Sequence, residues 1–309
     1  MKPLRALLGL VPAVVLAGGI LEARSDGSRG DTLAIRVDGR WVTWWRRDFA
    51  PLRWNGQASL AGRVTWQAGI AGIVWGELDL RGAREAWRTR VIVVRLDPGR
   101  VRLSLAPAFT RGRTWTAADA DSGVALALDA GQFRNDLPWG WVVHQGHEVL
   151  SPEYAPLAGA VVVDSSGSVR VVAPDSVGVE RRHNAVVEAF QSYPMLLQDG
   201  MVPASLREPG HGVSIGHRDA RLALGTTGDG QVVIALTRFD ALGTTFGRIP
   251  FGLTSAEMAA VMGALGCREA VALDGGISGQ LLLRDGTGST RTWPGVRPVP
   301  LGLIARPNR

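Results

Sequence analysis

Residues 254–283 read TSAEMAAVMGALGCREAVALDGGISGQLLL, and the fold is decided here. Thr254-x-x-Glu257 has the spacing of a capping box, in which each residue satisfies a free N–H of the other at a helix start. Met258, Val261, Met262 and Leu265 follow at helical spacing and give one apolar face. Gly266 supplies the stop, because glycine turns left-handed without strain. Ala270-Val271-Ala272-Leu273 then reads as a short buried strand. It ends in Asp274-Gly275-Gly276, with Ser278 just beyond. Two readings of Asp274 stand side by side. It is a site carboxylate at a strand exit, where the glycines let a ligand approach the backbone. Or it is a turn aspartate bonded to its own main chain.

Working outward, the 309 residues are 46% hydrophobic and 20% charged, which fits a folded domain with a sizeable core. The formal charge is +6, carried almost wholly by arginine, since Lys2 is the only lysine. The arginines are scattered and come with no nucleic-acid motif, so no nucleic-acid partner is expected. An anionic substrate fits the charge. Cys267 is alone, which excludes an intrachain disulfide and a thiolate metal cluster.

Lys2 and Arg5 precede an apolar run from Ala6 to Leu21, broken by Pro12 and Gly18-Gly19. The run has the length of a signal-peptide core and is short for a membrane span. No clean A-x-A site follows it, so residues 1–24 are expected to be a signal peptide or an uncleaved membrane anchor. The protein is then extracytoplasmic: secreted, periplasmic or anchored by its N-terminus.

Residues 25–87 are a linker followed by a β-rich extension crowded with tryptophan: Trp41, Trp44, Trp45, Trp54, Trp66, Trp75 and Trp87. Leu33–Val37 alternates and Asp38-Gly39 is a hairpin turn. The tryptophans are either a platform for sugar faces or packing residues of a β layer. From Arg88 onward the pattern is regular. Arg90–Leu96 is an alternating strand, Asp97-Pro98-Gly99 a turn, and Val101–Leu105 its expected return strand. Thr116–Asp121 is a capped turn. Val124–Leu128 is a buried strand ending in Asp129-Ala130-Gly131-Gln132-Phe133, the second strand-exit carboxylate. Hairpins are expected around His144–Glu148, around Ser165-Ser166-Gly167 and around Gly228-Asp229-Gly230. Val179–Phe190 is expected to be a helix leading into Gln191-Ser192-Tyr193-Pro194. The whole reads as an α+β fold with a mixed β-sheet core and packed helices, plus the N-terminal extension.

Several blocks now fall into one order. Asp129–Phe133 is similar to the Asn-Ala-Gly-Phe-Phe block of the phosphodiester glycosidase family. Gln191–Gly200 resembles its Gly-Pro-Leu-Leu…Asp-Gly block, and Arg221–Gly225 its Arg-Thr-Ala-Ile-Gly block. Gly252–Leu265 resembles its helix, and Ala272–Ser278 its Leu-Asp-Gly-Gly-Gly-Ser signature. The resemblance covers about residues 88–305, expected to be one domain through residue 309. Asp129 stands where the family has asparagine, and Gln132 where it has an aromatic. Tyr193 precedes Pro194 where glycine is usual, and Ile277 replaces the third glycine. These departures bear on which sugar is bound.

The resemblance implies cleavage of a sugar-1-phosphodiester or related glycosidic bond in an envelope or extracellular glycan. Glycosidic cleavage develops positive charge on the sugar, which a carboxylate stabilises. A phosphodiester leaving group is a weak base, so holding its charge matters more than protonating it. Arginine suits that task, because its fork donates two bonds to phosphate. Asp274 is therefore expected as nucleophile or cation stabiliser and Arg221 as phosphate clamp. Asp129 is expected as a second acid/base or a ligand of a sugar hydroxyl. Gly131, Gln132, Ser192, Tyr193, Gly275, Gly276 and Ser278 are expected to bind substrate. A structural ion pair, for instance to Asp274, is the competing reading of Arg221, and a strand-end cap that of Asp129.

No metal or other cofactor is expected. His144 and His147 flank a turn, His183 lies among arginines, and His211 and His217 lie in a glycine-rich loop that covers the site in this reading. Gly276-Ile277-Ser278-Gly279-Gln280 fails the nucleophile-elbow pattern, and no histidine follows Ser278. The alternative from another class is a membrane-tethered glycan-binding protein with a degenerate site.

Overall fold

A computed structural model describes residues 31–210, 214–240 and 249–308. The signal or anchor at residues 1–24 and the loop histidine His211 lie outside these. Among the described residues, no helix is long and apolar enough to cross a membrane.

The fold is α+β, with β-sheets as its core. Among the described residues, nine strands form the largest sheet. Its order runs Met195–Leu197, Cys267–Leu273, Leu222–Thr227, Val232–Phe239, Thr89–Leu96, Ile73–Arg81, Thr32–Val37 and Arg40–Arg46, and Gln67–Ala68 also pairs with Ile73–Arg81. Neighbouring strands in it run antiparallel. The tryptophan-rich extension thus adds strands to the sheet that holds the Asp274 strand. A five-stranded sheet contains Val142–His144, Val186–Ser192 and Gly159–Asp164. A second contains Leu281–Arg284, Leu126–Asp129, Leu301–Pro307 and Val101–Pro107. The alternating residues of all three meet in one core that includes Ile92, Leu128, Phe190, Leu224 and Leu303.

The other face of the large sheet is covered by the helix Ser255–Ala264. Its capping box is formed: the Thr254 hydroxyl accepts from the Glu257 N–H at 3.2 Å, and the Glu257 carboxylate accepts from the Thr254 N–H at 2.9 Å. All ten helical residues are buried, so the apolar stripe is only part of a helix enclosed on every side. Gly266 stops it at φ +97°. Trp54 lies where a Cβ on Gly263 would sit, which lets the indole rest on the helix backbone. Trp45 and Trp75 are also core, and Trp66 donates to the Ala61 carbonyl at 3.0 Å. Packing is therefore the main role of the tryptophans, while Trp41 and Trp87 stay exposed.

Two local expectations are corrected. Val101–Pro107 does not return along Thr89–Leu96; it pairs with Leu301–Pro307 in another sheet. Asp97-Pro98-Gly99 is thus a corner between sheets, with the Asp97 side chain accepting from the Gly99 N–H at 2.9 Å. Val179–Phe190 is not a helix. One helical turn covers Val177–Glu180, and Val186–Ser192 is a central strand. The β-branched pair Val186-Val187 and burial on both faces of a central strand mimic a helical apolar pattern.

Candidate active site

The register of the large sheet builds the site. Leu222 pairs with Leu273 in the antiparallel ladder, so the segment entering one strand lies beside the segment leaving the other. That brings Asp219, Ala220 and Arg221 against Asp274, Gly275 and Gly276. The Gly276 N–H donates to the Ala220 carbonyl at 2.7 Å. A Cβ on Gly275 would clash with that same carbonyl, and Gly276 has φ +55°. The two glycines are thus required by close backbone approach and by a left-handed turn. From the neighbouring sheet, the Gly131 carbonyl accepts from the Asp274 N–H at 3.1 Å, which ties the two strand exits together. On the far side, the Ala272 N–H donates to the Pro194 carbonyl at 2.9 Å and sets Tyr193 at the rim.

The result is a cavity of about 410 Å³. Of the candidate site residues, Gln132, Tyr193, Arg221, Asp274, Gly275, Gly276 and Ser278 line it. Asp129, Gly131 and Ser192 do not. Ser192 is buried and its hydroxyl donates to the Ala272 carbonyl at 2.6 Å. Gly131 sits under the Gln191 carbonyl, 2.8 Å from where a Cβ would lie. Asp129 is wholly buried behind the site, one oxygen accepting from the Gln280 N–H at 3.0 Å.

Burial pushes the Asp274 carboxyl up to about 6, with a further push from the charge of Asp219 and an opposing pull from Ser278 and Arg297. Asp129 is raised well above the carboxylate range, first by burial and then by the charge of Asp274. Arg221 does not take the ion pair with Asp274. Its Nε donates to the Leu253 carbonyl at 2.8 Å and its Nη2 to the His217 carbonyl at 2.7 Å. These bonds fix the plane of its guanidinium at the cavity wall.

Residues the sequence reading missed also line the cavity: Asp219, Phe133, Ser214 and Arg297; His217, placed in a loop over the site by that reading, lines it too. Arg297 stacks over Phe133 at 4.6 Å and pairs with Asp136 at 3.4 Å. Its segment is bound to the signature turn, since the Val296 N–H donates to the Ile277 carbonyl at 2.7 Å. Asp219 stood two residues before Arg221, on the same side of the entering chain, and that was the available signal. Arg297 lies in a Pro- and Gly-broken segment with no periodicity to place it.

Arg218 anchors the segment that carries these residues. Its guanidinium meets the Glu257 carboxylate at 2.5 and 2.9 Å, with both side chains buried, and reaches Asp31 at 3.2 Å. The capping glutamate of the helix therefore also holds the Asp219–Arg221 wall. Among the described residues, the other histidines do not line the cavity. His144 bonds Glu188 at 3.0 Å, and His183 is exposed near Glu180. Among the described residues, no group of three or more His, Cys, Asp or Glu is arranged to hold a metal ion.

The fold and site define an α+β protein with a polar pocket of carboxylates and arginines at the strand ends of an antiparallel sheet. Residues 122–306 match the phosphodiester glycosidase family, and the chain belongs to that family. No curated protein compared with the chain matches it. Among solved structures it is similar to the zebrafish N-acetylglucosamine-1-phosphodiester alpha-N-acetylglucosaminidase catalytic domain auto-inhibited by pro-peptide. The TM-score is 0.58 at 14% identity, over 79% of this chain and 88% of that one. It is also similar to a hypothetical protein from Synechocystis, at a TM-score of 0.54 and 16% identity, over 77% of this chain and 62% of that one. At these identities the likeness is one of fold.

Proposed function

We propose that the protein is an exported glycosidase that hydrolyses a sugar-1-phosphodiester in an envelope or extracellular glycan. The observation that carries this reading is one cavity lined by Asp274 and by two arginines, Arg221 and Arg297. The carboxylate of Asp274 faces the sugar carbon as positive charge develops there. The two guanidinium groups hold the departing phosphate, whose charge grows as the bond breaks, so their contacts strengthen toward the transition state. Gly275 and Gly276 let the Ala220–Arg221 chain pack against the Asp274 turn, and Ser278 beside Asp274 favours its charged form. Gln132 and Tyr193 form the rim where the aglycone leaves. The basic start and apolar run of residues 1–24 support export, with the chain then free or tethered outside the cytoplasm.

The zebrafish relative's name makes an N-acetylglucosamine 1-phosphodiester the first substrate to test. Release of free N-acetylglucosamine from its methyl phosphodiester, lost in Asp274→Asn, is the expected result. A folded wild-type chain that binds sugar phosphates without turning over any sugar 1-phosphodiester would favour the glycan-binding alternative.

A further inference from the structure

We propose that Asp219 is the general acid and base of a second activity in this site, the hydrolysis of O-glycosides that carry no phosphate. The inference rests on the glycosidase reading above, and it concerns the one cavity carboxyl that reading leaves without a task. A phosphate leaving group departs without a proton. A sugar or alkyl alkoxide does not, and needs an acid beside the glycosidic oxygen.

Asp219 has the setting of such an acid. It lines the cavity with Asp274 but enters from the other chain segment. Its backbone is pinned, since its N–H donates to the Leu253 carbonyl at 3.2 Å and the next N–H to the Pro250 carbonyl at 3.1 Å. Its Oδ2 packs on the signature turn, 3.0 Å from where a Cβ on Gly276 would lie. Its Oδ1 is enclosed and, among the described residues, has no hydrogen-bond partner. Asp129 Oδ2 is enclosed and unpartnered in the same way, but of the two only Asp219 lines the cavity, where a ligand can meet it. The His217 ring, an exposed side chain, lies 3.6 Å from Oδ2.

Burial raises the proton affinity of Asp219 against the pull of Arg221 and His217, and its own charge raises that of Asp274. Two carboxyls that oppose each other's ionisation in one pocket settle with one protonated and one charged. Arg297 favours the charge on Asp274, while Arg221 and His217 favour that on Asp219. A neutral Asp219 is also compatible with a phosphate held nearby by Arg221, where a second carboxylate would repel it.

The step balances as follows. The Asp219 carboxyl gives its proton to the glycosidic oxygen. The bond from that oxygen to the anomeric carbon breaks, and its electron pair stays on the oxygen. The Asp274 carboxylate supports the cationic carbon. A water oxygen then bonds to that carbon and its proton passes to Asp219, which restores the acid.

The test compares the full chain with Asp219→Asn on three N-acetylglucosamine substrates: the methyl phosphodiester, the 4-nitrophenyl α-glycoside and the benzyl α-glycoside. Wild type is expected to cleave all three. Asp219→Asn is expected to lose at least about 100-fold in kcat/KM on the benzyl glycoside, the range of general acid catalysis. It should lose no more than about tenfold on the other two, whose leaving groups are weak bases. Equal losses on all three would overturn the inference, because Asp219 would then hold the sugar or the protein. Wild-type cleavage of the phosphodiester alone would overturn it too, and would leave the phosphodiesterase reading standing. Cleavage of both plain glycosides but not the phosphodiester, with the Asp219 dependence intact, would support it and sink that reading. No turnover across hexose and N-acetylhexosamine versions of all three would overturn both. Circular dichroism checks folding; if Asp219→Asn does not fold, Asp219→Glu is read on the same substrates, with the larger loss again expected on the benzyl glycoside.

Discussion

Asp274→Asn should remove hydrolysis and at the same time make the protein more stable at neutral pH. The carboxyl is raised from an ordinary 3.8 to about 6, chiefly because burial disfavours its charge. Between those two values the folded chain binds more protons at this position than the unfolded chain. Stability therefore falls as pH rises through the window, is fully present below 3.8 and is lost above about 6. The rise corresponds to about 3 kcal/mol against the ionised form at neutral pH. Partial solvent access reduces that to about 2 kcal/mol. Asparagine has no charge to bury, but forgoes the stabilisation that Ser278 gives the carboxylate, at a cost of about 0.5–1 kcal/mol. The variant should then gain about 1–1.5 kcal/mol at pH 7.5, roughly 2 °C in Tm for a chain of this size.

Urea unfolding of wild type and variant at pH 4 and pH 7.5 measures the effect. Asp129 and Asp219 are raised as well, so the wild-type profile alone mixes several groups. The difference between the two proteins isolates Asp274 to first order. The expected pattern is near-equal stability at pH 4 and a more stable variant at pH 7.5. A variant less stable at pH 7.5, or a difference that does not change with pH, would refute the claim that the site stores a buried charge. Activity of wild type should also fall as pH drops below about 6, since Asp274 acts ionised.

Arg221→Lys keeps the charge but loses the two-pronged geometry, so kcat and KM should both worsen on a sugar phosphodiester, by about tenfold or more in kcat/KM. The loss on a nitrophenyl glycoside of the same sugar should be smaller, and equal losses would remove the phosphate role. Arg218→Ala leaves Glu257 charged and buried, and should cost about 3–5 kcal/mol in urea unfolding. The double change Arg218→Met with Glu257→Gln should recover most of that, and a single change within 1 kcal/mol of wild type would argue against the pair as an anchor. Deleting residues 1–24 should give a soluble, folded chain that stays in the cytoplasm. Full-length protein found free in the cytoplasm by fractionation would contradict export.

What was legible in the sequence follows the range of the interactions involved. The capping box, the stop at Gly266 and the hairpins at Asp38-Gly39, Gln145-Gly146 and Gly228–Gly230 depend on residues a few positions apart. They formed as read. The strand ending in Asp274 was equally local, and the glycines after it marked the close approach of another backbone. Val101–Pro107 failed because its partner Leu301–Pro307 lies some 200 residues away, and nothing near Asp97-Pro98-Gly99 distinguishes a hairpin from a corner. Val179–Phe190 failed because a strand buried on both faces has no alternation to betray it. In the site, the residues beside the Asp274 turn were found. Arg297 and Asp219 were missed because sheet register and a loop contact bring them in.

Three aspartates share one electrostatic problem, and access separates their roles. Asp129, Asp219 and Asp274 are all pushed toward the neutral form by burial, and the charge of Asp274 adds to the push on Asp129. Only Asp219 and Asp274 face the cavity. A neutral Asp129 has the shape of the asparagine found at that place in the family, and its bond to the Gln280 N–H is one that an asparagine carbonyl makes equally well. Ionising it would place an unpaired charge in the core beside Asp274, so the proton stays on Asp129 and the negative charge stays in the pocket. The substitution thus keeps the fold of the strand exit without adding a competing carboxylate. The working charge belongs to Asp274, where Arg297 and the Ser278 hydroxyl favour it.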